Sequence, residues 1–174
     1  PARSTRQYCY FFGIFHLRTA FLKELEKEHL DEIWALGRNT DRLEKLSEEF
    51  GKKIVQICVD LTKPDVIEAF RNILIDKEPQ IAYLINNAGI AQMKLSKDFT
   101  VKEIEDTVDL NCKAPAILTN ICLPYMQRGA RIINVCSASA FQPVPYLNLY
   151  AATKAFERSY SRAMNAELKP LGIS

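Results

Sequence analysis

The chain has 174 residues, of which 48% are apolar and 25% are charged, so it is sized for one folded domain with a buried core and is not a disordered protein. Its 23 basic and 21 acidic residues are interspersed and leave a formal charge of +2, which excludes the basic surface that a nucleic-acid partner requires. Five cysteines without metal-ligand spacing and only two histidines argue against a metal site, and an odd cysteine count favours free thiols in the reducing cytoplasm.

Short apolar runs alternate with longer amphipathic segments from one end of the chain to the other. In chain order, the pattern predicts a strand at residues 8–12, a helix at 18–28, a strand at 32–36, a helix at 41–50, a strand at 54–59, a helix at 64–75, a strand at 81–85, a long helix at 101–128, a strand at 132–135 and a last helix from 147 to about 168. The apolar run at residues 8–15 is far shorter than the roughly 20 residues of a membrane span, so we expect no membrane association.

Residues at the ends of these segments carry the expected signals. Thr40 is predicted as a helix N-cap and Pro64 as a first-turn residue, while Gly51 and Gly129 are predicted to end the helices that precede them. Alternating strands and helices predict parallel strand pairing with right-handed crossovers. The expected fold is therefore a doubly wound, Rossmann-like α/β sheet in three layers, undivided by a repeat or a linker.

In doubly wound sheets, ligands bind beyond the carboxyl ends of the strands. The residues that close the predicted strands are therefore candidates for chemistry, although polar residues also mark ordinary loops. These strand-end residues are Gly37 and Arg38, Asp60 and Leu61, Asn86 to Gly89, and Cys136 and Ser137.

Tyr150 and Lys154 are spaced for one face of the last helix. Residues four apart on a helix stack one turn from each other, so the Lys154 ammonium is expected near the Tyr150 hydroxyl. A nearby cation favours the phenolate over the phenol. The pair can therefore exchange a proton with a substrate at neutral pH, a task for which free tyrosine, which titrates near pH ~10, is poorly suited.

Five elements occur in one order along the chain: Asp60 after the third strand, the Asn-Asn-Ala-Gly turn at Asn86 to Gly89, Asn111, Ser137, and the Tyr150-x-x-x-Lys154 pair. Together they resemble the short-chain dehydrogenase/reductase family over roughly residues 18–174. A Tyr-x-x-x-Lys pair alone is common in exposed helices, whereas the ordered set is specific. The resemblance implies an enzyme that transfers hydride between a nicotinamide cofactor and an alcohol or carbonyl substrate.

The resemblance also implies a role for each catalytic candidate. Tyr150 is the expected general acid in reduction and general base in oxidation, and Lys154 tunes it and bonds the nicotinamide ribose. Ser137 is expected to bond the substrate oxygen. Asn111 is expected to hold a water that returns protons to Lys154.

The cofactor is expected to be NADP(H) rather than NAD(H). The second strand ends at the basic Arg38, which would accept a 2′-phosphate that an acid would repel, although Asp41 lies close by. Asp60, followed by Leu61, is expected at the adenine. The residues expected to line the nucleoside are Asn87, Ala88 and Gly89, while Tyr150 and Lys154 complete the cofactor contacts.

Each catalytic candidate has an ordinary structural alternative. Tyr150 could be a core tyrosine with a solvated hydroxyl, and Lys154 a solvated helix lysine. Asn111 could bond its own helix backbone, and Ser137 could cap a turn. The functional interpretation depends on all four occurring in one order.

Both ends of the chain depart from the family pattern. Residues 1–17 are atypical, because the family's glycine-rich phosphate loop is represented there only by Gly13. A divergent loop and a segment read in the wrong frame both explain this stretch. The family continues beyond residue 174 into further strands and a substrate loop, so we interpret residues 1–174 as a single nucleotide-binding domain that lacks its last strands.

Two other functions stay open. One is epimerisation or dehydration with a tightly held cofactor, and the other is a non-catalytic nucleotide-binding fragment. Because long helices pair between subunits in the family, the resemblance implies a homodimer or homotetramer for the complete protein.

Overall fold

The computed structural model describes residues 7–12 and 18–174. In chain order its elements are β1 (Gln7–Phe12), α1 (Arg18–Leu25), β2 (Glu32–Gly37), α2 (Thr40–Phe50), β3 (Ile54–Cys58), α3 (Pro64–Lys77), β4 (Gln80–Asn86), α4 (Val101–Val108), a π-helical turn (Asp109–Lys113), α5 (Ala114–Cys122), β5 (Met126–Asn134) and α6 (Asn148–Leu168). The atypical segment 1–17, including Gly13, lies outside the described residues except for β1.

The five strands form one parallel sheet in the order β3-β2-β1-β4-β5. The chain starts in the centre at β1, winds outward through β2 and β3, and then crosses back to β4 and β5. This reversal places the topological switch point between β1 and β4, where ligands bind in such sheets. The predicted doubly wound α/β fold is confirmed.

Helices cover both faces of the sheet because its central strands are apolar on both sides. Along β2, Ile33 and Ala35 point into one buried cluster, while Trp34 and Leu36 point into the other. Helices α1 and α2 pack in the first cluster, whereas α3, α5 and the end of α6 pack in the second. The molecule therefore has three layers, as the sequence predicted.

Most predicted helix ends agree with the structure, but the N-cap of α2 does not. Asn39 is the cap residue, since its side-chain oxygen accepts a hydrogen bond from the Arg42 amide at 2.8 Å, so the prediction of Thr40 was wrong by one position. Gly51 ends α2 with φ 74°, a left-handed conformation that favours glycine. Pro64 lies in the first turn of α3 as predicted.

The predicted long helix at 101–128 was wrong in its last part. The helical stretch ends at Cys122, a single 3-10 turn carries Pro124, and Met126 already begins β5. Gly129 therefore ends no helix but lies within β5 at φ 94°, where the pairing with β4 changes register. The strand predicted at 132–135 begins earlier because Met126 and Arg131 pair with β4, while Gly129 and Ala130 bond residues 172–174; these tertiary contacts override the local helical pattern.

The last three residues run beside the outer edge of β5. The Ser174 carbonyl accepts from the Ile132 amide at 2.7 Å, and the Ser174 amide donates to the Ala130 carbonyl at 3.1 Å. None of the helices in the described ranges combines the length and apolarity that a bilayer-spanning segment needs. That further strands follow in the complete protein stays a prediction.

Candidate active site

Asn111 is the buried junction of the site. It lies in the π-helical turn between α4 and α5, and its amide nitrogen donates to the Ile90 carbonyl at 2.9 Å and to Thr153 Oγ1 at 3.0 Å. Its side-chain oxygen accepts from the Ile90 amide at 2.8 Å. Asn111 thus joins the loop after β4 to α6, and the alternative that it bonds its own helix is wrong.

Lys154 is buried, with only 3% of its surface exposed, so the alternative of a solvated lysine is also wrong. Its ammonium donates to the Val135 carbonyl at 2.8 Å, just beyond the end of β5, and to Glu157 Oε2 at 2.7 Å. The Nζ atom lies 5.7 Å from the centroid of the half-buried Tyr150 ring. The predicted pairing of amine and phenol on one face of α6 is therefore present.

Glu157 is the partner of Lys154 that sequence analysis missed. Both side chains are almost fully buried, at 4% and 1% exposure. Burial raises the pKa of Glu157, while the hydrogen bond and the charge of Lys154 act in the opposite direction. The signal was available in the sequence, since residues three apart on a helix are neighbours.

Ser137 follows β5 and caps a single 3-10 turn, Ala138–Phe141. Its Oγ accepts hydrogen bonds from the Ser139 amide at 3.2 Å and from the Ser139 hydroxyl at 2.9 Å. The neighbouring Cys136 thiol donates to the Lys154 carbonyl at 3.2 Å, which ties this segment to α6. Ser137 therefore has the capping role that the sequence left open. It lies directly after Val135 and Cys136, both of which bond Lys154.

Gly89 faces the two buried polar side chains across a narrow space. A Cβ atom at this position would stand 3.5 Å from Asn111 Oδ1 and 3.6 Å from Lys154 Nζ. A side chain here would therefore be in van der Waals contact with both groups, and glycine leaves that small volume unfilled at the topological switch point. Before it in the chain, Asn87 is buried and Ala88 is partly buried against the core.

Buried amides fix the strands beneath this turn. Asn86 Nδ2 donates to Asn134 Oδ1 at 2.8 Å and to Thr119 Oγ1 at 3.3 Å. Asn134 Nδ2 in turn donates to Ser161 Oγ at 2.8 Å. The ends of β4 and β5 are thus bonded to α5 and α6 by side chains.

The ends of β2 and β3 form a second, more exposed group. Asp60 accepts hydrogen bonds from the Thr62 amide at 3.1 Å and the Thr62 hydroxyl at 2.8 Å. Burial opposes ionisation of Asp60, but the Thr62 bonds and the charges of Arg38 and Lys63 outweigh it and lower its pKa. Arg38 is exposed, whereas the Leu61 side chain packs in the core.

Residues 17–174 match the family described as short chain dehydrogenase, so the chain belongs to the short-chain dehydrogenase family of oxidoreductases. It is 30% identical over 165 residues to the very-long-chain 3-oxoacyl-CoA reductase of Bos taurus, covering 88% of this chain and 52% of the relative. It is 33% identical over 166 residues to the 17-beta-hydroxysteroid dehydrogenase type 3 of Danio rerio, covering 88% and 53%. The chain thus spans about half the length of these two relatives.

A solved structure agrees with the family and the fold. The closed form of a serine dehydrogenase complexed with NADP+ matches with a TM-score of 0.79 at 25% identity, covering 95% of this chain and 68% of that protein. Among the residues that the structure describes, no cluster of three or more histidine, cysteine or acidic side chains could hold a metal ion.

Proposed function

We propose that this chain binds NADP(H) and transfers hydride between the nicotinamide and an alcohol or carbonyl substrate, with Tyr150 as the acid and base. The observation that carries the proposal is the position of the buried Lys154 ammonium, 5.7 Å from the Tyr150 ring centroid and next to Gly89, which places no side chain against it. The names of the two relatives, a 3-oxoacyl-CoA reductase and a hydroxysteroid dehydrogenase, support the substrate class.

The residues present fit a nicotinamide dinucleotide. Gly89 places no side chain against Lys154, and two of the three ammonium donors of Lys154 are engaged, so one remains for a ribose hydroxyl. The ionised Asp60 offers acceptors at the other end of the crevice. The cofactor supplies or accepts the hydride when it is bound.

The chain's own residues manage the proton and the developing charge. In reduction, Tyr150 donates its proton to the carbonyl oxygen, and in oxidation it accepts the alcohol proton. Ser137 Oγ accepts two bonds from Ser139, which leaves its own O–H to donate to the substrate oxygen. Asn111 holds the loop after β4 against α6, and its role in returning protons to Lys154 stays a prediction.

The choice of NADP(H) depends on Arg38. Its exposed guanidinium at the end of β2 is available to a 2′-phosphate, and its charge already acts on Asp60. The NADP+ complex of the serine dehydrogenase supports the same cofactor.

Titration of the purified chain with NADPH, followed by its fluorescence, tests cofactor binding. Saturable binding together with NADPH oxidation on a panel of ketones and 3-oxoacyl thioesters is the expected result. Saturable binding without oxidation of any carbonyl would instead indicate a non-catalytic nucleotide-binding protein. No saturable binding would reject the proposal.

We also propose that the protein is a cytoplasmic homodimer or homotetramer. Val101, Ile104 and Val108 are exposed at 72%, 40% and 39% and share one face of α4, with the exposed Phe156 on the neighbouring α6. A second copy of this chain is the occupant we expect for this face. Light scattering should give a molecular mass that is a multiple of the chain mass, and the Ile104→Lys substitution should lower it. A monomeric wild type would contradict this proposal.

A further inference from the structure

The Lys154 ammonium is paired with a carboxylate that the proposed mechanism does not use. Glu157 Oε2 lies 2.7 Å from Lys154 Nζ, and both side chains are at least nine-tenths buried. Removing two charges from water is costly, so such a pair is retained only where its geometry is good. The pair therefore holds the Lys154 ammonium beside Tyr150, with the Glu157 carboxylate neutralising its charge.

The position of Glu157 determines how much of the lysine's charge reaches the phenol. A lone buried cation near Tyr150 would stabilise the phenolate strongly, because interactions between charges are larger in a low-dielectric interior than in water. A carboxylate in contact with that cation cancels much of this effect. The Val135 carbonyl, the other acceptor of Nζ, carries no net charge, so the neutralisation of the ammonium depends on Glu157.

We propose that Glu157 is a positioning residue that holds the Lys154 ammonium and, by neutralising its charge, sets how readily Tyr150 releases its proton. This inference rests on the proposed function, because it concerns the acid and base of that reaction. Glu157 acts only through Lys154 and touches neither substrate nor cofactor in this account.

Few other titratable groups face the pair. Cys112 approaches from the π-helical turn, where burial and then the charge of Glu157 raise its pKa to about 11, so its thiol is neutral near pH 7. Cys136 lies against the Lys154 carbonyl through its thiol, and Tyr150 is on α6 itself. Within the described part of the chain, Lys154 and Glu157 thus carry the charges that act on the Tyr150 hydroxyl.

The test measures the ionisation of Tyr150 directly, in the chain without cofactor. Near-ultraviolet tyrosinate absorbance is titrated with pH, and subtraction of the Tyr150→Phe titration isolates Tyr150. Glu157→Gln keeps an acceptor for Lys154 but removes the charge, so the Tyr150 transition should move to lower pH by roughly one to two units. Glu167→Gln, an exposed position on the same helix, is the matched control: it should leave the Tyr150 transition in place and affect only that of Tyr160, whose pKa the charge of Glu167 helps to raise.

The same variants are then compared in turnover. With Glu157→Gln, the pH at which alcohol oxidation reaches half of its maximal kcat should fall in parallel with the titration. Glu157→Asp, which keeps the charge on a shorter side chain, should move both transitions in the same direction by a smaller amount. If Glu157→Gln does not fold, Glu157→Asp provides the test.

The outcomes separate this inference from the proposed function. A lower melting temperature with unmoved tyrosinate and kcat transitions means that Glu157 is only structural, which overturns the inference. A wild-type chain that binds no NADPH rejects the proposed function, while the titration without cofactor still reports on Glu157.

Discussion

The two ends of the candidate cofactor crevice are built differently. At the catalytic end, Asn111, Lys154 and Glu157 are buried and their bonds connect the loop after β4, the π-helical turn, the end of β5 and α6. At the adenosine end, Asp60 bonds Thr62, two positions on, and Arg38 is exposed. Substitutions of the buried residues at the first end should therefore affect stability and chemistry together, while those at the second end should act mainly on cofactor binding.

Asn111→Ala should have the largest effect on stability. Removing the amide leaves the partly buried Ile90 amide and carbonyl and the buried Thr153 hydroxyl without this partner, so we expect a loss of about 2–4 kcal/mol in the free energy of unfolding. Urea denaturation followed by circular dichroism measures this loss. A change below about 0.5 kcal/mol, the range of ordinary surface substitutions, would show that the catalytic end is not the stable junction described above.

Arg38→Ala should separate cofactor choice from stability. Loss of one charge-assisted contact to the 2′-phosphate should raise the Kd for NADPH about tenfold, leave the Kd for NADH within about twofold, and leave the melting temperature unchanged. Fluorescence titrations with both cofactors measure the two constants, with Lys63→Ala, another exposed basic residue near Asp60, as the control. Equal weakening of both cofactors would contradict selection by Arg38.

Asn39→Ala removes an asparagine whose role is local, in contrast to Asn111, which joins separate parts of the chain. Its loss removes the cap bond to the Arg42 amide, so we expect about 1 kcal/mol of destabilisation and no change in turnover. Thr40→Ala is the matched control and should cost little, since Thr40 is not the cap. The opposite ranking of these two variants in urea denaturation would restore the prediction made from the sequence.

Asp60 should give the smallest effect, visible only in acid. Its pKa is lowered in the folded state, so its contribution to stability is present above the ordinary carboxyl pKa of about 3.9 and is lost as the pH falls through the lower, folded value. Wild type should thus lose more stability than Asp60→Asn as the pH falls from 5 to 2. Parallel acid denaturation curves of the two proteins would show that the pKa of Asp60 is not lowered in the folded state.

The strands and helices with strong periodicity could be predicted from the sequence. Interior strands such as β2 are apolar from Ile33 to Leu36, and α3 and α6 have long amphipathic patterns, so their existence and type agreed with the structure. The boundary between α5 and β5 could not be predicted, because residues 126–131 become a strand only through pairing with β4 and with residues 172–174.

The candidate site was predictable as a set of residue types but not as a network. Tyr150 and Lys154 followed from helix geometry, and the family resemblance supplied the role of Asn111. The spacing of Glu157, three positions after Lys154, made it a candidate partner. The burial of Lys154 could not be predicted, because a lysine four positions after a tyrosine is equally compatible with a solvated helix face. Burial depends on how β5 and the π-helical turn pack against α6.

Turnover of Tyr150→Phe is the most direct test of the central claim that this phenol exchanges the proton. Loss of the hydroxyl should lower kcat by about 10²–10⁴-fold, while the Kd for NADPH and the melting temperature stay near those of the wild type. Tyr125→Phe, a half-buried tyrosine away from Lys154, should retain full activity. A Tyr150→Phe variant with wild-type kcat on any accepted substrate would contradict the account.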